Sequence, residues 1–582
     1  MTEQATNTKA AKSTRSSRKT AASEIETFKR RFASLNGVMC FMLDFVPQDA
    51  SAGLELSSFR RASLFREYFG IDTWFLTDCY QPAAIDGCIR QIALGRLSSV
   101  RMVNLYDWAQ GVQRQDLKRS PVQLTYNRAW QVKNVQGNFD QLILDPAGQP
   151  LMYVKRGNDP EHAIEYVNYI KQGKVTRRDS FDRLGFLSRT EYLTPETGFT
   201  HTALYYRPNG TTALSETYRP AVPQPGAEVQ PRPAVDTIHV MNEQGHTVQR
   251  FTYHDELVAW WLLQLLNDPH SFYMCICDQL MDYQRYFVEL KRQQEAHPNV
   301  RVLGVSHNCH TVDPLDVMNS QLGDNYRFLC DENQRIDRVI TLTERQKADV
   351  IERYKDKAHD ISVIPHHFVP LPVPAQKKDE TQGSLPPHSL IHIGRFAPAK
   401  DQSQAVDIIK KVIEKVPDAT LHFFGSGEQE KEVRDKVATE GLESSVIFHG
   451  FVPDLRPVYA TASVLLMTSR HEGFPLVLQE ALNASLPAVC YDCRYGPAAM
   501  IEDGKNGYLV APNDVDSAAS RLITLLSDDK LREKMSKAAL KSMQRFTPQK
   551  VATLWAKTLL SLLPEEDSAQ PDPLLAAAGT TK

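Results

Sequence analysis

The 582-residue sequence has no long apolar run and no strong excess of either charge. Its longest apolar candidate, Leu257 to Leu266, is too short to cross a bilayer, so at most peripheral membrane contact is expected. A net charge of −3 gives no global reason to expect nucleic acid as a partner. Because no secretory signal is recognisable, we expect a cytoplasmic protein, with peripheral contact at the inner face of the membrane as the alternative.

The nine cysteines have no spacing typical of a disulfide framework, which favours a reducing compartment. Cys490 and Cys493 form a single CxxC, and no second pair is present to complete a zinc site. Cys275 and Cys277 alternate along another apolar run. We interpret all four as buried apolar residues and predict no metal site.

Buried strands alternate with amphipathic helices in two separate parts of the chain, which predicts an α/β protein with two doubly wound, Rossmann-like domains facing a cleft. Within the first of them, short alternating strands separated by turns such as Pro208-Asn209-Gly210 predict an antiparallel, β-rich insertion. An exposed edge of this insertion offers a place where two copies of the chain could pair. The predicted regions are a disordered basic tail (1–24), an amino-terminal Rossmann-like domain (25–110 and 252–370), the insertion (111–251), a linker (371–388), a carboxyl-terminal Rossmann-like domain (389–563) and a second disordered tail (564–582).

Two carboxylates, Glu472 and Glu480, lie on either side of a predicted strand-to-helix junction. Pro475 suits the first helical position, which places Glu472 in the loop and Glu480 about a turn and a half into the helix. In open α/β sheets ligands bind at this edge, so both side chains could face one crevice. The alternative is a pair of ordinary surface carboxylates.

Arg395 and Lys400 occupy one strand-to-helix loop, where a guanidinium, an ammonium and helix amides could hold a pyrophosphate. Gly496, Pro497 and Ala498 follow another strand, and their small size would let backbone amides approach phosphate or sugar oxygens. Two solvated surface cations are the alternative interpretation of Arg395 and Lys400.

Three further positions in the amino-terminal half are candidates for the cleft. His307 follows a predicted strand directly, and His310 is three residues further on. Gly53 lies where a loop meets a helix, although no GxGxxG spacing surrounds it. Each histidine could equally be a structural residue.

These residues, taken in chain order, resemble the carboxyl-terminal domain of family 4 retaining glycosyltransferases with the GT-B fold. The motifs that carry the resemblance are Gly394-Arg395-x4-Lys400, Phe424-Gly425-Ser426-Gly427, His449-Gly450-Phe451 and Glu472-x7-Glu480. The resemblance implies that Arg395 and Lys400 hold the donor diphosphate, Glu480 the ribose and Glu472 the transferred sugar. It also implies that His307 lies near sugar and acceptor, that Gly53 faces the diphosphate, and that Gly450 and the 496–498 loop belong to the donor site.

The insertion narrows the resemblance to poly(glycerol-phosphate) or poly(ribitol-phosphate) α-glycosyltransferases of wall teichoic acid. Its similar stretches are Phe181-Asp182-Arg183-Leu184-Gly185-Phe186-Leu187-Ser188-Arg189 and Tyr205-Tyr206-x3-Gly210. The same add-on domain occurs in glycosyltransferases that modify serine-rich adhesins of Gram-positive bacteria. The implied reaction moves glucose or N-acetylglucosamine from a UDP-sugar with retention and without a metal or other cofactor.

Two acceptors and one non-enzymatic function remain open at this point. A polyanionic teichoic acid would need a basic surface, for which the insertion offers Lys171, Lys174, Arg177, Arg178 and Arg183. A Ser/Thr-rich glycoprotein acceptor is the second alternative, and a non-catalytic partner of such an enzyme is the third. The four side chains of the motif, Arg395, Lys400, Glu472 and Glu480, are all in place, which favours an enzyme.

Overall fold

The structure is a computed structural model. It describes residues 23–42, 53–82, 101–112, 122–157, 163–220, 233–278, 299–323, 336–355, 360–369 and 385–565, with a few single positions between these ranges. The predicted tails at 1–22 and 566–582, and most of the predicted linker, lie outside the described residues.

The described chain begins with a helix, α1 (residues 23–34), whose buried residues Ile25, Phe28 and Phe32 follow helical spacing. The boundary therefore differs from the predicted tail, because residues 23 and 24 already belong to this helix. The next elements are β1 (Val38–Met42), α2 (Gly53–Phe69), β2 (Trp74–Thr77), β3 (Arg101–Asn104) and α3 (Leu105–Gln110).

An antiparallel sheet follows, in which each of ten described strands pairs with its neighbours in sequence. The strands are β4 (Gln131–Asn134), β5 (Gln141–Leu144), β6 (Pro150–Arg156), β7 (Ile164–Lys171), β8 (Lys174–Phe181), β9 (Leu187–Leu193), β10 (Thr200–Tyr206), β11 (Thr212–Arg219), β12 (Ala234–Met241) and β13 (Thr247–Phe251). Buried residues of β10 to β13, including Tyr205 and Leu214, pack in one core with Trp261 of the amino-terminal domain. The insertion therefore rests on that domain through its last strands.

The amino-terminal α/β domain then resumes and completes its parallel sheet. Its further elements are α4 (His254–Leu265), β14 (Tyr273–Cys277), β15 (Val300–Ser306), β16 (Arg338–Thr341), α5 (Glu344–Tyr354) and β17 (Ile361–Val363). The described strands are ordered β17-β16-β15-β14-β1-β2-β3, and each neighbouring pair is parallel. The carboxyl ends of β14 and β15 therefore reach the same sheet edge.

A second parallel sheet forms the carboxyl-terminal domain, with the described strands ordered β20-β19-β18-β21-β23-β25. Its strands, together with a two-residue pair at the sheet edge, are β18 (Ser389–Ile393), β19 (Thr420–Phe424), β20 (Val446–Phe448), β21 (Val464–Met467), β22 (His471–Glu472), β23 (Ala488–Tyr491), β24 (Arg494–Tyr495) and β25 (Gly507–Val510). Its helices are α6 (Gln402–Ile413), α7 (Glu430–Thr439), α8 (Arg456–Thr461), α9 (Leu476–Asn483), α10 (Gly496–Met500), α11 (Val515–Ser527), α12 (Asp529–Ser542), a 3₁₀ helix (Met543–Phe546) and α13 (Pro548–Leu560).

The last helix returns to the amino-terminal domain. Trp555 of α13 packs edge to face on Phe65 of α2, with ring centroids 5.4 Å apart. The last helix, which the prediction assigns to the carboxyl-terminal domain, thus also packs against α2 of the amino-terminal domain. Within the described part of the chain, no helix combines the length and the apolar composition needed to span a membrane.

Candidate active site

A cleft of about 810 Å³ separates the two α/β domains. Its walls combine amino-domain residues with loops at the carboxyl ends of the second sheet's strands, as expected for doubly wound folds. The cleft residues that matter below are His307, His366, Arg395, Lys400, Glu472 and Gly473. Four of the predicted site residues, His307, Arg395, Lys400 and Glu472, therefore share one cavity.

Glycines allow the loops on the carboxyl-domain side to lie in backbone contact. The amide of Gly425 donates to the carbonyl of Gly450 at 2.7 Å. A Cβ at Gly425 would lie 2.1 Å from the carbonyl oxygen of Gly394, a distance no side chain can occupy. Gly450 itself has φ 67°, which favours glycine. The predicted donor residue Gly450 thus supports the loops beside the cleft.

Lys400 and Glu472 form an ion pair inside the cleft, between Nζ and Oε1. Ser469 Oγ donates to the same carboxylate oxygen at 2.7 Å. The two charged side chains are 29% and 11% exposed, so solvent only partly screens them. Lys400 and Glu472 are 72 residues apart in the sequence, and the fold brings them into contact.

Arg395 differs from Lys400 in its environment. Its side chain is 73% exposed, and its Nη2 pairs with Glu428 at 3.0 Å. Both cations line the cleft, but only Lys400 is held in its interior. A bound anion would therefore find Lys400 oriented, whereas Arg395 would have to leave a surface partner.

The loop after Glu472 touches the amino-terminal domain. A Cβ on Gly473 would lie 1.7 Å from the carbonyl oxygen of His307, so only glycine permits this approach. Pro475 precedes α9 as its N-cap residue, one position earlier than the predicted helical position. A Cβ on Gly496 would lie 2.1 Å from Pro475 Cδ. Residues 496–498, which were predicted as a loop, form the first turn of α10; they support the loop that carries Glu472 and are not among the cleft-lining residues.

Glu480 lies one helical turn beyond Leu476, which lines the cleft. Its Oε1 accepts from Arg60 Nη2 at 2.5 Å, and its Oε2 accepts from Tyr459 Oη at 3.0 Å. The predicted second carboxylate is therefore held by one side chain from each domain.

His307 is held by the buried carboxylate of Asp278, a residue that the sequence interpretation missed. Asp278 Oδ1 lies 2.7 Å from His307 Nε2, and Arg61 and Ser58 bind the same carboxylate. Burial alone would raise the pKa of Asp278, but Arg61 and His307 outweigh it and hold the pKa well below its usual range. The carboxylate is therefore ionised and accepts a hydrogen bond from Nε2, which fixes the ring of His307.

His366 is a second residue that sequence reasoning missed. Its ring stacks on that of His307, with centroids 5.6 Å apart and planes 17° from parallel. Burial, together with the charges of His307 and Arg61, lowers the pKa of His366 well below its usual range, which keeps the ring neutral.

Of these two missed residues, only Asp278 had a signal in the sequence, because it directly follows the buried strand β14. His366 follows Pro365 in a stretch without any such signal.

The other two amino-domain candidates lie elsewhere. His310 is fully buried, and its Nδ1 is 3.2 Å from Tyr495 Oη, so it belongs to the contact between domains. Gly53 is the first residue of α2, and the loop before it lies outside the described residues. Across the described ranges, no three His, Cys, Asp or Glu side chains are grouped in a way that could hold a metal ion.

The predicted basic surface of the insertion is divided by the sheet. Arg177 and Arg178 are adjacent on β8, so their side chains point to opposite faces. Arg177 Nη2 binds Asp179 at 2.6 Å, and Arg183 lies 3.5 Å from Glu165. The remaining two cations, Lys171 and Lys174, are exposed at the turn between β7 and β8. The five candidate cations therefore do not all share one face, because strand alternation places Arg177 and Arg178 on opposite sides of the sheet.

Comparison with known proteins finds that the chain is similar to glycosyltransferases, most directly in its carboxyl-terminal domain. Residues 375–542 match the family of glycosyl transferases group 1. A poly(ribitol-phosphate) alpha-N-acetylglucosaminyltransferase of Staphylococcus aureus is 25% identical over 300 residues, which cover 51% of this chain and 57% of that protein. The GtfA subunit of the UDP-N-acetylglucosamine–peptide N-acetylglucosaminyltransferase of Streptococcus gordonii is 25% identical over 466 residues, which cover 74% of this chain and 84% of that protein.

A poly(glycerol-phosphate) alpha-glucosyltransferase of Bacillus subtilis is 22% identical over 436 residues, which cover 72% of this chain and 57% of that protein. The match thus spans little more than half the length of the first and third of these relatives.

Two solved structures confirm the predicted GT-B fold. A mutant of S. aureus TarM, in complex with fondaparinux, alpha-GlcNAc-glycerol and UDP, has a TM-score of 0.71 at 18% identity over 90% of this chain and 99% of that one. The pneumococcal O-GlcNAc transferase GtfA, in complex with UDP and GlcNAc, has a TM-score of 0.70 at 20% identity over 91% and 100%. The two parallel sheets, the cleft and the antiparallel insertion are therefore an arrangement shared with known glycosyltransferases.

Proposed function

We propose that this glycosyltransferase, built on a glycosyl transferases group 1 domain, moves glucose or N-acetylglucosamine from a UDP-sugar to the poly(polyol-phosphate) chain of a wall teichoic acid, with retention at the anomeric carbon. The observation that carries the proposal is the Lys400–Glu472 pair in a cleft that His307 also lines, with Asp278 holding His307 in place.

The cations act on the leaving group. As the bond between the sugar and the diphosphate breaks, negative charge grows on the diphosphate and the sugar gains oxocarbenium character. Lys400 and Arg395 stabilise the growing charge electrostatically in a partly dehydrated cleft. Glu472 holds Lys400 until the donor enters and then contacts the transferred sugar. No metal or other cofactor is part of this proposal.

The acceptor hydroxyl attacks the face from which the diphosphate departs. A new bond forms between the acceptor oxygen and the anomeric carbon, and the hydroxyl proton passes to the departing diphosphate oxygen. His307, anchored through Nε2, presents its other ring nitrogen to the sugar and acceptor side. His366 stacks on its ring and limits its rotation. Closure of the cleft excludes water that would otherwise hydrolyse the donor.

Names of relatives and exposed cations support the polymer acceptor. Two of the relatives act on poly(ribitol-phosphate) or poly(glycerol-phosphate), according to their names. Lys171 and Lys174 lie exposed at one turn of the insertion, where a polyanion could bind. The expected place of action is the cytoplasm, or the inner face of the membrane, in a Gram-positive cell.

A second candidate acceptor is Ser or Thr of a serine-rich adhesin. The match covers 84% of the S. gordonii GtfA subunit, compared with 57% of each of the two teichoic acid relatives, and this difference favours the adhesin acceptor. A non-catalytic partner of such an enzyme is the third possibility. The Lys400–Glu472 pair argues against it, because a chain without catalysis has no need of this pair within a cleft.

The edge of the insertion supports pairing between copies of the chain. All four residues of β4, Gln131–Asn134, are exposed at the sheet edge. Unpaired backbone groups along such a strand favour β-pairing with another chain. Light scattering of the purified protein would measure the mass, and a monomer at all concentrations would exclude this pairing.

One assay tests the proposed function. UDP release is measured over a panel of UDP-sugars, each with poly(glycerol-phosphate), poly(ribitol-phosphate) or a Ser/Thr-rich peptide. We expect UDP-glucose or UDP-N-acetylglucosamine to turn over with one of the polymers and not with the peptide. Turnover with the peptide alone would establish the second candidate, and no turnover with any combination would leave only the non-catalytic function.

A further inference from the structure

Two consecutive arginines of α2 bind carboxylates in different domains. Arg61 binds Asp278 beneath His307, with Nη2 2.7 Å from Oδ1. Arg60 reaches across to the carboxyl-terminal domain, where its Nη2 lies 2.5 Å from Glu480 Oε1. The side chains of Arg60 and Glu480 are 12% and 24% exposed, so this is a largely buried ion pair between domains.

Both oxygens of Glu480 are oriented by protein donors. Tyr459 Oη donates to Oε2 at 3.0 Å, while Arg60 binds Oε1. Burial and the nearby Glu480 raise the pKa of Tyr459 well above its usual range, so its hydroxyl keeps its proton and donates. A carboxylate can accept about four hydrogen bonds, so each oxygen retains capacity for one further donor.

Glu480 is not itself a cleft-lining residue, but it lies next to residues that are. Glu480 lies one turn beyond the cleft residue Leu476 on α9, and Tyr459 lies one turn beyond the cleft residue Leu455. The carboxylate therefore adjoins the cleft from the side of the carboxyl-terminal domain. Its orientation, however, is set by an arginine of the amino-terminal domain.

Arg60 depends on Glu480 in turn. Its Nη1 is buried and has no hydrogen-bond partner among the described residues. A buried cation is costly unless a carboxylate compensates it, and Glu480 supplies that charge. Because each partner needs the other, the pair has one defined geometry when the two domains are apposed.

We propose that Arg60 is a positioning residue for nucleotide recognition: it holds the Glu480 carboxylate so that its two oxygens accept the 2′- and 3′-hydroxyls of the donor ribose. The inference rests on the proposed function and on the role that the family resemblance implies for Glu480, which is to bind the donor ribose. Both domains then take part in ribose recognition: Glu480 belongs to the carboxyl-terminal domain, and Arg60 of the amino-terminal domain orients its carboxylate. Donor binding and domain apposition are thereby coupled through one ion pair.

The test compares two probes, UDP and 2′-deoxy-UDP, whose affinities are measured by isothermal titration calorimetry on the full chain. We expect the unsubstituted protein to prefer UDP by roughly tenfold or more, because the deoxy probe leaves a charged acceptor without its donor. Arg60→Ala should weaken UDP binding by about the same factor and leave 2′-deoxy-UDP binding nearly unchanged, so that the preference disappears. Arg60→Lys, which keeps the charge but loses the planar fork, should give an intermediate preference.

Two further variants complete the design. Arg66→Ala is the matched control, because Arg66 is on the same helix but pairs with Asp72 at the exposed surface. It should keep the full preference for UDP. Glu480→Gln should abolish the preference, and this variant tests the ribose assignment independently of Arg60.

The results distinguish the positioning role of Arg60 from the proposed glycosyltransferase function. An unchanged UDP preference in Arg60→Ala, or an equal loss of affinity for both probes, would overturn the inference if Glu480→Gln still loses the preference. If Glu480→Gln still preferred UDP over 2′-deoxy-UDP, Glu480 would not bind the ribose, and the inference about Arg60 would be contradicted as well. Failure of the unsubstituted protein to bind UDP would contradict the proposed function itself. Should Arg60→Ala not fold, Arg60→Lys decides, since a full preference in that variant contradicts the inference.

Discussion

The carboxylate of Asp278 lies 2.7 Å from Nε2 of His307, at a point where two neighbouring parallel strands end. Arg61 binds both oxygens of Asp278, at 3.0 and 2.7 Å. A histidine beside the cleft is therefore held by a buried, charged assembly. A ring held in this way needs no reorganisation when substrate binds, which is the physical basis of preorganised catalysis.

Asp278→Ala should disable transfer without abolishing UDP binding. His307 loses its anchor, so we expect the turnover number to fall by at least about tenfold. Arg61 is left buried without its partner, which should reduce the free energy of unfolding by about 3–5 kcal/mol. Steady-state kinetics, UDP titration and chemical denaturation measure the three quantities.

A double substitution separates charge from catalysis. Asp278→Leu combined with Arg61→Met removes both charges and should recover much of the lost stability. It should not recover turnover, because His307 remains unanchored. Full activity in this double variant would show that Asp278 acts only through stability.

Gly473→Ala should separate the domains at the cleft. The added Cβ would lie 1.7 Å from the carbonyl oxygen of His307, and this backbone atom cannot yield without moving its domain. We expect a large loss of kcat/KM, about 100-fold, since small misplacements of reacting groups cost this much. Gly441→Ala is the control, because Gly441 has φ 69° but open space around it. Gly473 itself has no positive φ, so an equal loss in Gly441→Ala would assign the effect to a general loss of stability and not to the contact with His307.

Acidification should destabilise the folded chain partly through His310. Burial lowers the pKa of His310 to about 4, from a usual value near 6.5. Between these values the unfolded chain binds a proton that the folded chain does not, so stability falls as the pH is lowered from about 6.5 to about 4. His310→Phe should remove a contribution of at most about 3 kcal/mol to that fall. Denaturation midpoints across this pH range would contradict the assignment if both proteins lost stability in parallel.

Turnover with a polyanionic acceptor should decrease with salt. The Lys171→Glu/Lys174→Glu variant should raise the KM for the polymer at low ionic strength, and the difference from the unsubstituted protein should narrow as salt is added. Lys431→Glu/Lys537→Glu, which changes exposed cations of the carboxyl-terminal domain, matches the change in net charge. A polymer KM that is insensitive to salt would count against the polyanionic acceptor.

Local patterns in the sequence sufficed for the fold and for the loops that carry the cleft. Buried strands such as β21 and β23 are continuous apolar runs, and polar residues mark where each run ends. Lys400 and Glu472 were placed in strand-end loops for this reason. The structure then joins the two side chains, which neither loop specifies alone.

Contacts between distant segments were not predictable from those patterns. Arg60 and Arg61 occupy ordinary helical positions, and nothing near them in sequence indicates that Glu480 and Asp278 are their partners. The packing of α13 on α2 was likewise not predictable, because an apolar helix face does not identify the surface that it covers. The alternation of strand faces explains why the neighbouring cations Arg177 and Arg178 of the insertion do not share one surface.

The most direct test of the account is the product formed with and without Lys400. The transferred sugar is detected by nuclear magnetic resonance on the acceptor that supports turnover, and the anomeric coupling reports its configuration. With the unsubstituted protein we predict an α-linked sugar on the poly(polyol-phosphate), formed from an α-configured UDP-sugar. Lys400→Ala should lower its rate of formation by about 10²–10³-fold, whereas Lys410→Ala, an exposed cation on α6, should not. A β-linked product, or undiminished transfer by Lys400→Ala, would contradict the account.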